Sequence, residues 1–289
     1  MARFIAEIGS NHNRDLVRTR SLLDACAHAG AGAAKLQIFR VEDLFAPEVL
    51  AQRPELRERR AWEFPLELLD PVARHARRAG LEFGATPFGL WAVDELAPVV
   101  DFFKVASYEL LWHDLIRACA ATGRPLILST GMATLDEVDA AVEAAHGAGE
   151  LTLLHCVSGY PAPAEQCNLA VIATLRERYG CRVGWSDHSA SSAVVERAVR
   201  RWDASDIELH VDLDGTGNEA GEHNWTPAQL AATTSACRRD DADPEGPLPM
   251  DGDGVKRPMP VEQPDVPWRA DPSDGLRPLL ETRVSFAAA

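Results

Sequence analysis

Short apolar segments alternate with longer amphipathic segments along most of the chain. The apolar segments have the length of β-strands and occupy residues 3–8, 33–39, 81–85, 101–105, 125–129, 151–156, 181–185 and 206–209. Apolar positions recur with a helical period in the segments that follow them. The predicted helices cover residues 15–29, 65–79, 90–97, 113–122, 135–147, 169–179, 191–201 and 226–239. The pattern is therefore a strand followed by a helix, repeated along the chain.

Glycines mark the ends of several predicted helices. Gly30, Gly80, Gly123 and Gly180 each follow a helical segment and precede a strand, where glycine accepts the left-handed cap conformation. The strands are apolar or mixed rather than alternating, which is typical of strands covered on both faces. Eight such units predict an α/β fold of the (β/α)8 TIM-barrel class. A doubly wound open sheet is the alternative.

The composition changes after about Arg239. Residues 240–274 are rich in Asp, Pro and Gly, a composition that does not build its own core. We therefore predict a catalytic barrel domain over residues 1–240 and an irregular C-terminal extension over residues 241–289, packed on or near the barrel. The charged segment 45–63, which is interrupted by proline, is expected to cover the mouth of the barrel.

Overall charge narrows the classes of partner. The 289 residues include 29 basic and 44 acidic side chains, which give a formal net charge of −15. This excess argues against nucleic-acid binding and against attachment to an anionic membrane, but not against a small anionic substrate. We expect no basic and apolar leader before the first strand, and no apolar run in the sequence is long enough to span a bilayer. With six scattered cysteines, expected to be reduced, we expect a cytoplasmic protein.

Two histidines lie at the carboxyl ends of the last two predicted strands. His188 ends the segment that begins at Arg182, and His210 ends the segment that begins at Asp206. Parallel strands in a barrel end at one rim, so both imidazoles are expected to meet there. Neutral imidazoles bind Mn, Fe, Co or Zn, and two ligands leave positions open for substrate and water. The alternative is a pair of hydrogen-bonded histidines at the sheet edge.

Further polar side chains are predicted at the same rim. These candidates are Glu7, Lys35, Gln37, Thr86, Lys104, Ser107, Glu109, Ser129, Ser158, Tyr160 and Ser186. A buried lysine is unfavourable unless it meets an anion, so Lys35 and Lys104 indicate an anionic ligand. Serine hydroxyls and glycine-flanked amides are suitable donors for a phosphate. Glu7 is predicted either to exchange a proton or to be a structural partner of one lysine. On its spacing alone, Lys256 is expected to be solvated.

These residues fall in motifs that run in order along the barrel. The motifs are Glu7-Ile8-Gly9-Ser10-Asn11-His12, Lys35-Leu36-Gln37, Thr86-Pro87-Phe88, Lys104-Val105-Ala106-Ser107-Tyr108-Glu109, Ser129-Thr130-Gly131-Met132, His155-Cys156, Tyr160-Pro161, Ser186-Asp187-His188-Ser189 and Glu208-Leu209-His210. Together they resemble the N-acetylneuraminate (sialic acid) synthase family of phosphoenolpyruvate-dependent TIM barrels. No single motif is specific to that family, whereas the ordered set is.

The resemblance implies a transferase that condenses phosphoenolpyruvate with an aldehyde, often a sugar. C3 of phosphoenolpyruvate attacks the aldehyde, water adds to C2, and phosphate leaves by C–O cleavage to give a 2-keto-3-deoxy acid. A divalent metal would be held by His188 and His210, with Mn²⁺ expected first and Mg²⁺ or Co²⁺ as alternatives. Family members are dimers, so a homodimer is possible here.

The resemblance also implies roles for individual residues. Glu7, Lys35 and His188 would be catalytic. Phosphoenolpyruvate would be held by Lys104, Ser107, Ser129 and Ser186, and Lys256 would match a late family lysine that reaches the phosphate. Gln37 and Tyr160 would face the aldehyde. Substrate contacts are also expected from Thr86, Glu109 and Ser158.

The chain departs from the family pattern mainly on the acceptor side. The antifreeze-like C-terminal domain of the family is not expected here, and the segment after His210 differs from that of sialic acid synthases. Val157 stands where an asparagine is expected, and Glu222 or His223 is predicted to replace the missing acceptor contacts. Two alternatives stay open, namely a metal-dependent 2-keto acid aldolase or lyase, and a non-catalytic relative that binds a sugar or phosphate.

Overall fold

The predicted (β/α)8 TIM barrel is confirmed by the structure, a computed structural model that describes residues 1–239 and 243–287. Eight parallel strands close in chain order. The strands are β1 Arg3–Gly9, β2 Ala33–Ile38, β3 Glu82–Pro87, β4 Phe102–Val105, β5 Leu126–Ser129, β6 Leu151–Cys156, β7 Arg182–Asp187 and β8 Asp206–His210. The predicted boundary between residues 240 and 241 lies outside the described residues.

The helices pack around this barrel. They are α1 Leu16–His28, α2 Val41–Leu44, α3 Pro47–Gln52, α4 Leu69–Arg78, α5 Leu90–Leu96, α6 His113–Ala121, α7 Leu135–Ala144, α8 Val171–Tyr179, α9 Ser192–Arg200, α10 Pro227–Arg238 and α11 Leu280–Ala287. Local sequence fixes several of their starts. Thr134 forms a capping box with Glu137, and Thr226 forms another with Gln229, so each pair satisfies free amides at a helix start.

Two segments are more regular than the sequence predicted. The segment 45–63, for which no helix was predicted, contains α3 and a 3-10 helix over Pro54–Trp62. These turns bury Val49, Leu50 and Leu56 in a small apolar cluster near the barrel mouth. Helix α11, which was not predicted, packs against α3. Proline interrupts the helical pattern of this segment, whereas tertiary burial supplies the order that its local sequence does not.

The barrel interior is built in layers, because alternate residues of each strand point inward. An apolar layer near the amino ends of the strands contains Ile5, Ala33, Phe102, Ile127 and Leu154. Phe102 crosses to β3 at Gly84, where a β-carbon would lie 2.2 Å from the phenylalanine ring. Two residues further along each strand, the inward positions become polar. The apolar layer therefore forms the floor beneath these polar positions.

The C-terminal segment is attached to the catalytic end of the barrel by buried polar contacts. Glu262 is fully buried and accepts hydrogen bonds from the backbone amides of Ser158 (2.7 Å) and Met132 (2.8 Å). Arg269 pairs with Glu137 of α7 at 2.9 Å. This C-terminal segment, residues 243–287, is called the tail below. It holds the loops that follow β5 and β6. Within the described residues, no helix is both long enough and apolar enough to cross a membrane.

Replacing the buried carboxylate tests this attachment. We expect Glu262→Ala to lower the free energy of unfolding by about 2–4 kcal/mol, because the amides of Ser158 and Met132 lose their acceptor inside the protein. Urea denaturation measures the change, with Gln263→Ala at the exposed neighbouring position as the control. Equal stability of the two variants would contradict the role of Glu262.

Candidate functional site

A cavity of about 290 Å³ opens at the carboxyl ends of the barrel strands. Most of the candidates lie on its wall, and these are Glu7, Lys35, Gln37, Thr86, Lys104, Ser107, Ser129, Tyr160, Ser186, His188 and His210. They come from every strand of the barrel or from the residues just after one. The structure therefore brings together the cationic, hydroxyl and imidazole groups that the sequence places at strand ends.

Four candidates lie away from the cavity wall. Glu109 is buried behind it and binds Arg277, and the backbone amide of Ser158 binds the tail. Lys256 is buried rather than solvated, and its Nζ atom has no hydrogen-bond partner in the described parts of the chain. Glu222 is exposed, so His223 rather than Glu222 presents its side chain to the cavity.

A buried charge quartet forms the base of the cavity: Glu7, Lys35, Lys104 and Glu208. Each is at most 3% exposed. Lys35 forms an ion pair with Glu7, and Lys104 forms one with Glu208 at 3.0 Å. Glu208 also lies 4.0 Å from Lys35, so it joins the two pairs. Two ammonium and two carboxylate groups balance one another, which makes their burial tolerable.

Hydroxyl groups from neighbouring strands complete the hydrogen bonding of the quartet. Lys35 donates to Thr86 Oγ1 at 3.0 Å, and Ser186 Oγ donates to Glu208 at 3.2 Å. Burial lowers the pKa of Lys35 to about 7. For Glu208, burial opposes ionisation, but Lys104 and Lys35 outweigh it and lower the carboxyl pKa. Protonation of Lys35 is consequently close to balance at neutral pH.

Histidine rings line the opposite side of the cavity. The ring centroids of His188 and His210 lie 5.3 Å apart, and those of His210 and His223 lie 5.1 Å apart. Tyr160 stacks on His188 with centroids 4.2 Å apart. Burial, followed by the electrostatic effect of His188 and His223, lowers the pKa of His210 well below its usual value. His210 is therefore a neutral imidazole.

The lone pairs of the first two rings suit a metal. His188 Nδ1 lies 3.0 Å from the carbonyl oxygen of Val157, and in the neutral ring donation there leaves Nε2 as the acceptor. Burial opposes protonation of His188, but Cys156 outweighs it and raises the pKa of the ring, so a metal would compete with a proton for Nε2. His210 Nδ1 is buried without a hydrogen-bond partner among the described residues. Those residues contain no group of three or more His, Cys, Asp or Glu side chains arranged to hold a metal. The donor set fits an ion bound through two imidazoles with its other positions open.

Several cavity residues escaped the sequence analysis, chiefly Glu208, Glu219, Arg59 and Arg277. A signal existed for Glu208, which lies two residues before His210 on one strand and therefore shares its inward face. Arg59 lies in a 3-10 helix and Arg277 in the tail. No strand register places them at the cavity.

Arg277 carries positive charge from the tail to the mouth. Its Nε atom donates to Glu109 at 2.8 Å, and its guanidinium lies 4.3 Å from the ring centroid of Tyr108. Burial raises the pKa of Glu109, although Arg277 opposes the shift. Glu109, a predicted substrate ligand, is thus engaged by the protein's own tail.

Comparisons with known proteins agree with this geometry. The chain is 34% identical over 270 residues to an uncharacterized protein of Methanocaldococcus jannaschii, covering 90% of this chain and 74% of that protein. It is 32% identical over 225 residues to N,N'-diacetyllegionaminic acid synthase of Campylobacter jejuni, covering 73% of this chain and 67% of the relative.

A solved structure shows the same fold. N-acetylneuraminic acid (sialic acid) synthetase of Leptospira borgpetersenii, crystallised with citrate, superposes with a TM-score of 0.76 at 28% identity. The alignment covers 100% of this chain and 93% of that chain. The family model described as the NeuB family matches residues 22–241. The resemblance stated from the motifs is therefore confirmed, and the chain belongs to the NeuB family.

Proposed function

We propose that the protein condenses phosphoenolpyruvate with the aldehyde form of a sugar, giving a 2-keto-3-deoxy acid and phosphate. One observation carries the proposal: lysines, serines and histidines line one cavity above an apolar floor. The printed names of two relatives, a legionaminic acid synthase and a sialic acid synthetase, support a synthase that acts in sugar chemistry.

The phosphoenolpyruvate side of the site is assigned to the lysines and serines. Lys104 lines the cavity together with Ser107, Ser129 and Ser186. Ser129 Oγ is buried without a partner in the described chain, so its hydroxyl is available to a ligand. The unpaired Nζ of Lys256 is a further donor near this region, because its electrostatic neighbours include Cys156 of the cavity wall. Ammonium and hydroxyl donors in a water-poor site bind phosphate strongly.

The proposed reaction forms one carbon–carbon bond and breaks the C–O bond to phosphate. A bond forms between C3 of phosphoenolpyruvate and the aldehyde carbon, and the aldehyde oxygen takes a proton. Water adds to C2 and loses one proton, which leaves a hydroxyl on C2. This hydroxyl loses its own proton to the departing phosphate as the bond from C2 to the bridging oxygen breaks, so that C2 becomes the ketone. Glu7 is suited to both proton transfers because it lies in the cavity beside Lys35. The ammonium group of Lys35 would face the carboxylate of phosphoenolpyruvate.

The aldehyde is assigned to the side of the cavity formed by Gln37, Tyr160 and the histidines. A divalent ion held by His188 and His210, with Mn²⁺ first and Mg²⁺ or Co²⁺ as alternatives, would supply Lewis-acid polarisation of the aldehyde carbonyl. The stacking of Tyr160 on His188 fixes the ring that faces this region.

Phosphate release tests the proposed function. We expect the purified protein with Mn²⁺ to release phosphate from phosphoenolpyruvate when an aldose such as N-acetylmannosamine is present, and to release none without an aldehyde. A colorimetric phosphate assay over a panel of aldoses and divalent ions measures this. Cleavage of a 2-keto acid with no use of phosphoenolpyruvate would favour the aldolase alternative.

Removing one imidazole tests the metal assignment. We expect His188→Ala to abolish turnover and also the rise in melting temperature that Mn²⁺ produces, because a single imidazole remains to bind the ion. Differential scanning fluorimetry with and without Mn²⁺ measures the second effect. His146→Ala, on a side chain that is 75% exposed, is the control and should leave both properties intact. Retained Mn²⁺ stabilisation in the His188 variant would refute the assignment.

The pair of Lys104 and Glu208 allows a double-mutant cycle. We expect Glu208→Leu to lower the free energy of unfolding by about 3–5 kcal/mol, because it leaves a buried ammonium without its carboxylate. Lys104→Met should also destabilise, and the double variant should lose less than the sum of the two. Urea denaturation measures all three. Strict additivity would mean that the two groups do not stabilise each other.

A further inference from the structure

Asp187 lies directly before His188 in the chain, and its carboxylate is fully buried. Four hydrogen bonds reach its two oxygens. The donors are Trp185 Nε1 at 3.0 Å, Ser189 Oγ at 2.6 Å, the backbone amide of Ala190 at 3.1 Å and Trp225 Nε1 at 3.0 Å. Because these donors replace the water that the carboxylate loses on burial, the turn that carries His188 is ordered around Asp187.

Trp225 is the donor that comes from outside this turn. It lies beyond β8 and is 2% exposed. Its backbone amide donates to the carbonyl oxygen of His210 at 2.7 Å, and its carbonyl oxygen accepts from the amide of Asp212 at 3.0 Å. One residue is therefore bound both to the carboxylate beside His188 and to the backbone of His210.

The backbone pairing between β7 and β8 ends just before the two histidines. Its last paired residues are Asp187 and Leu209, each one position before a histidine. His188 is restrained on the side of β6, where its Nδ1 atom lies 3.0 Å from the carbonyl oxygen of Val157. His210 is restrained on the opposite side, where β8 pairs with β1. Above the paired residues, the indole of Trp225 joins the two sides.

Trp225 and Asp187 lie behind the wall of the cavity rather than on it. A direct contact with a substrate is therefore not expected from either residue. Groups behind a metal ligand commonly orient it, and losing such a group weakens metal binding. The hydrogen bond from Trp225 to Asp187 has this place behind the imidazole pair, whose ring centroids lie 5.3 Å apart.

We propose that Trp225 is a positioning residue that sets the spacing of the His188 and His210 rings through its hydrogen bond to Asp187. The inference rests on the proposed function in one respect, the assignment of a divalent ion to these two rings. Replacing the indole by an apolar ring leaves Asp187 with the donors of its own turn. The turn then keeps its shape but loses its link to the residues beyond β8, so the separation of the two imidazoles is less closely fixed.

The experiment compares Trp225→Phe with the matched control Trp185→Phe. Both changes remove an indole donor whose nitrogen lies 3.0 Å from Asp187, and both leave a smaller apolar ring in a buried position. Trp185 belongs to β7, so its loss leaves the link across to the residues beyond β8 intact. We expect both variants to melt at a lower temperature than the wild type and to remain folded at the assay temperature, which circular dichroism checks.

Binding of Mn²⁺ gives a readout that a loss of stability alone does not change. We expect isothermal titration calorimetry to show a Kd for Mn²⁺ that rises about 10- to 100-fold in Trp225→Phe and stays within about 3-fold of the wild type in Trp185→Phe. Where an aldehyde supports phosphate release, saturating Mn²⁺ should restore most of the turnover of Trp225→Phe, and its KM for phosphoenolpyruvate should stay within about 3-fold. Equal losses of Mn²⁺ affinity in the two variants would overturn the inference, because they would show that Trp225 only stabilises the fold.

Crystal structures of the metal-free proteins separate the inference from the proposed function. The centroid separation of the His188 and His210 rings should depart from that of the wild type by more than about 0.5 Å in Trp225→Phe and by less in Trp185→Phe. This result stands even if the wild type binds no Mn²⁺, in which case only the proposed metal assignment fails. An unchanged separation in Trp225→Phe would overturn the inference while leaving the proposed function intact.

Discussion

The charge quartet is the constraint on which the rest of the structure depends. Two ammonium groups cannot stay inside a barrel without carboxylates, and Glu7 and Glu208 supply them from the two strands that close the ring. The strand register brings this about, since Glu7 faces Lys35 on one side and His210 on the other. Each of the four side chains is at most 3% exposed, so water screens their charges only weakly. These four groups therefore produce a strong electric field at the base of the cavity.

Much of the fold and part of the cavity wall could be predicted from the sequence, because both follow from strand periodicity. The carboxyl ends of all the strands of a parallel barrel lie at one rim. Residues at these ends therefore meet there, as Lys35, Lys104, His188 and His210 do. The same reasoning, applied to alternate positions of β8, finds Glu208. Strand ends are predictable because all barrels of this class share the same backbone geometry.

Residues outside the strands follow no such rule. Arg59 reaches the mouth from a 3-10 helix. Arg277 reaches it from the tail, where its backbone forms an isolated β-bridge with Phe45. Their positions depend on tertiary packing around Leu56 and on single backbone hydrogen bonds, which local sequence does not encode. Glu222 illustrates the same limit in reverse, since one step along a loop places it in solvent and His223 in the cavity.

The position of Arg277 so late in the chain affects the order in which the protein becomes functional. A ribosome releases the strands and their lysines, serines and histidines well before it releases the segment that carries Glu262 and Arg277. A nascent barrel therefore has its charged base before it has a finished entrance. The loops after β5 and β6 gain their last hydrogen-bond acceptor only when Glu262 arrives. In this architecture the entrance is completed only after every strand of the barrel has been synthesised.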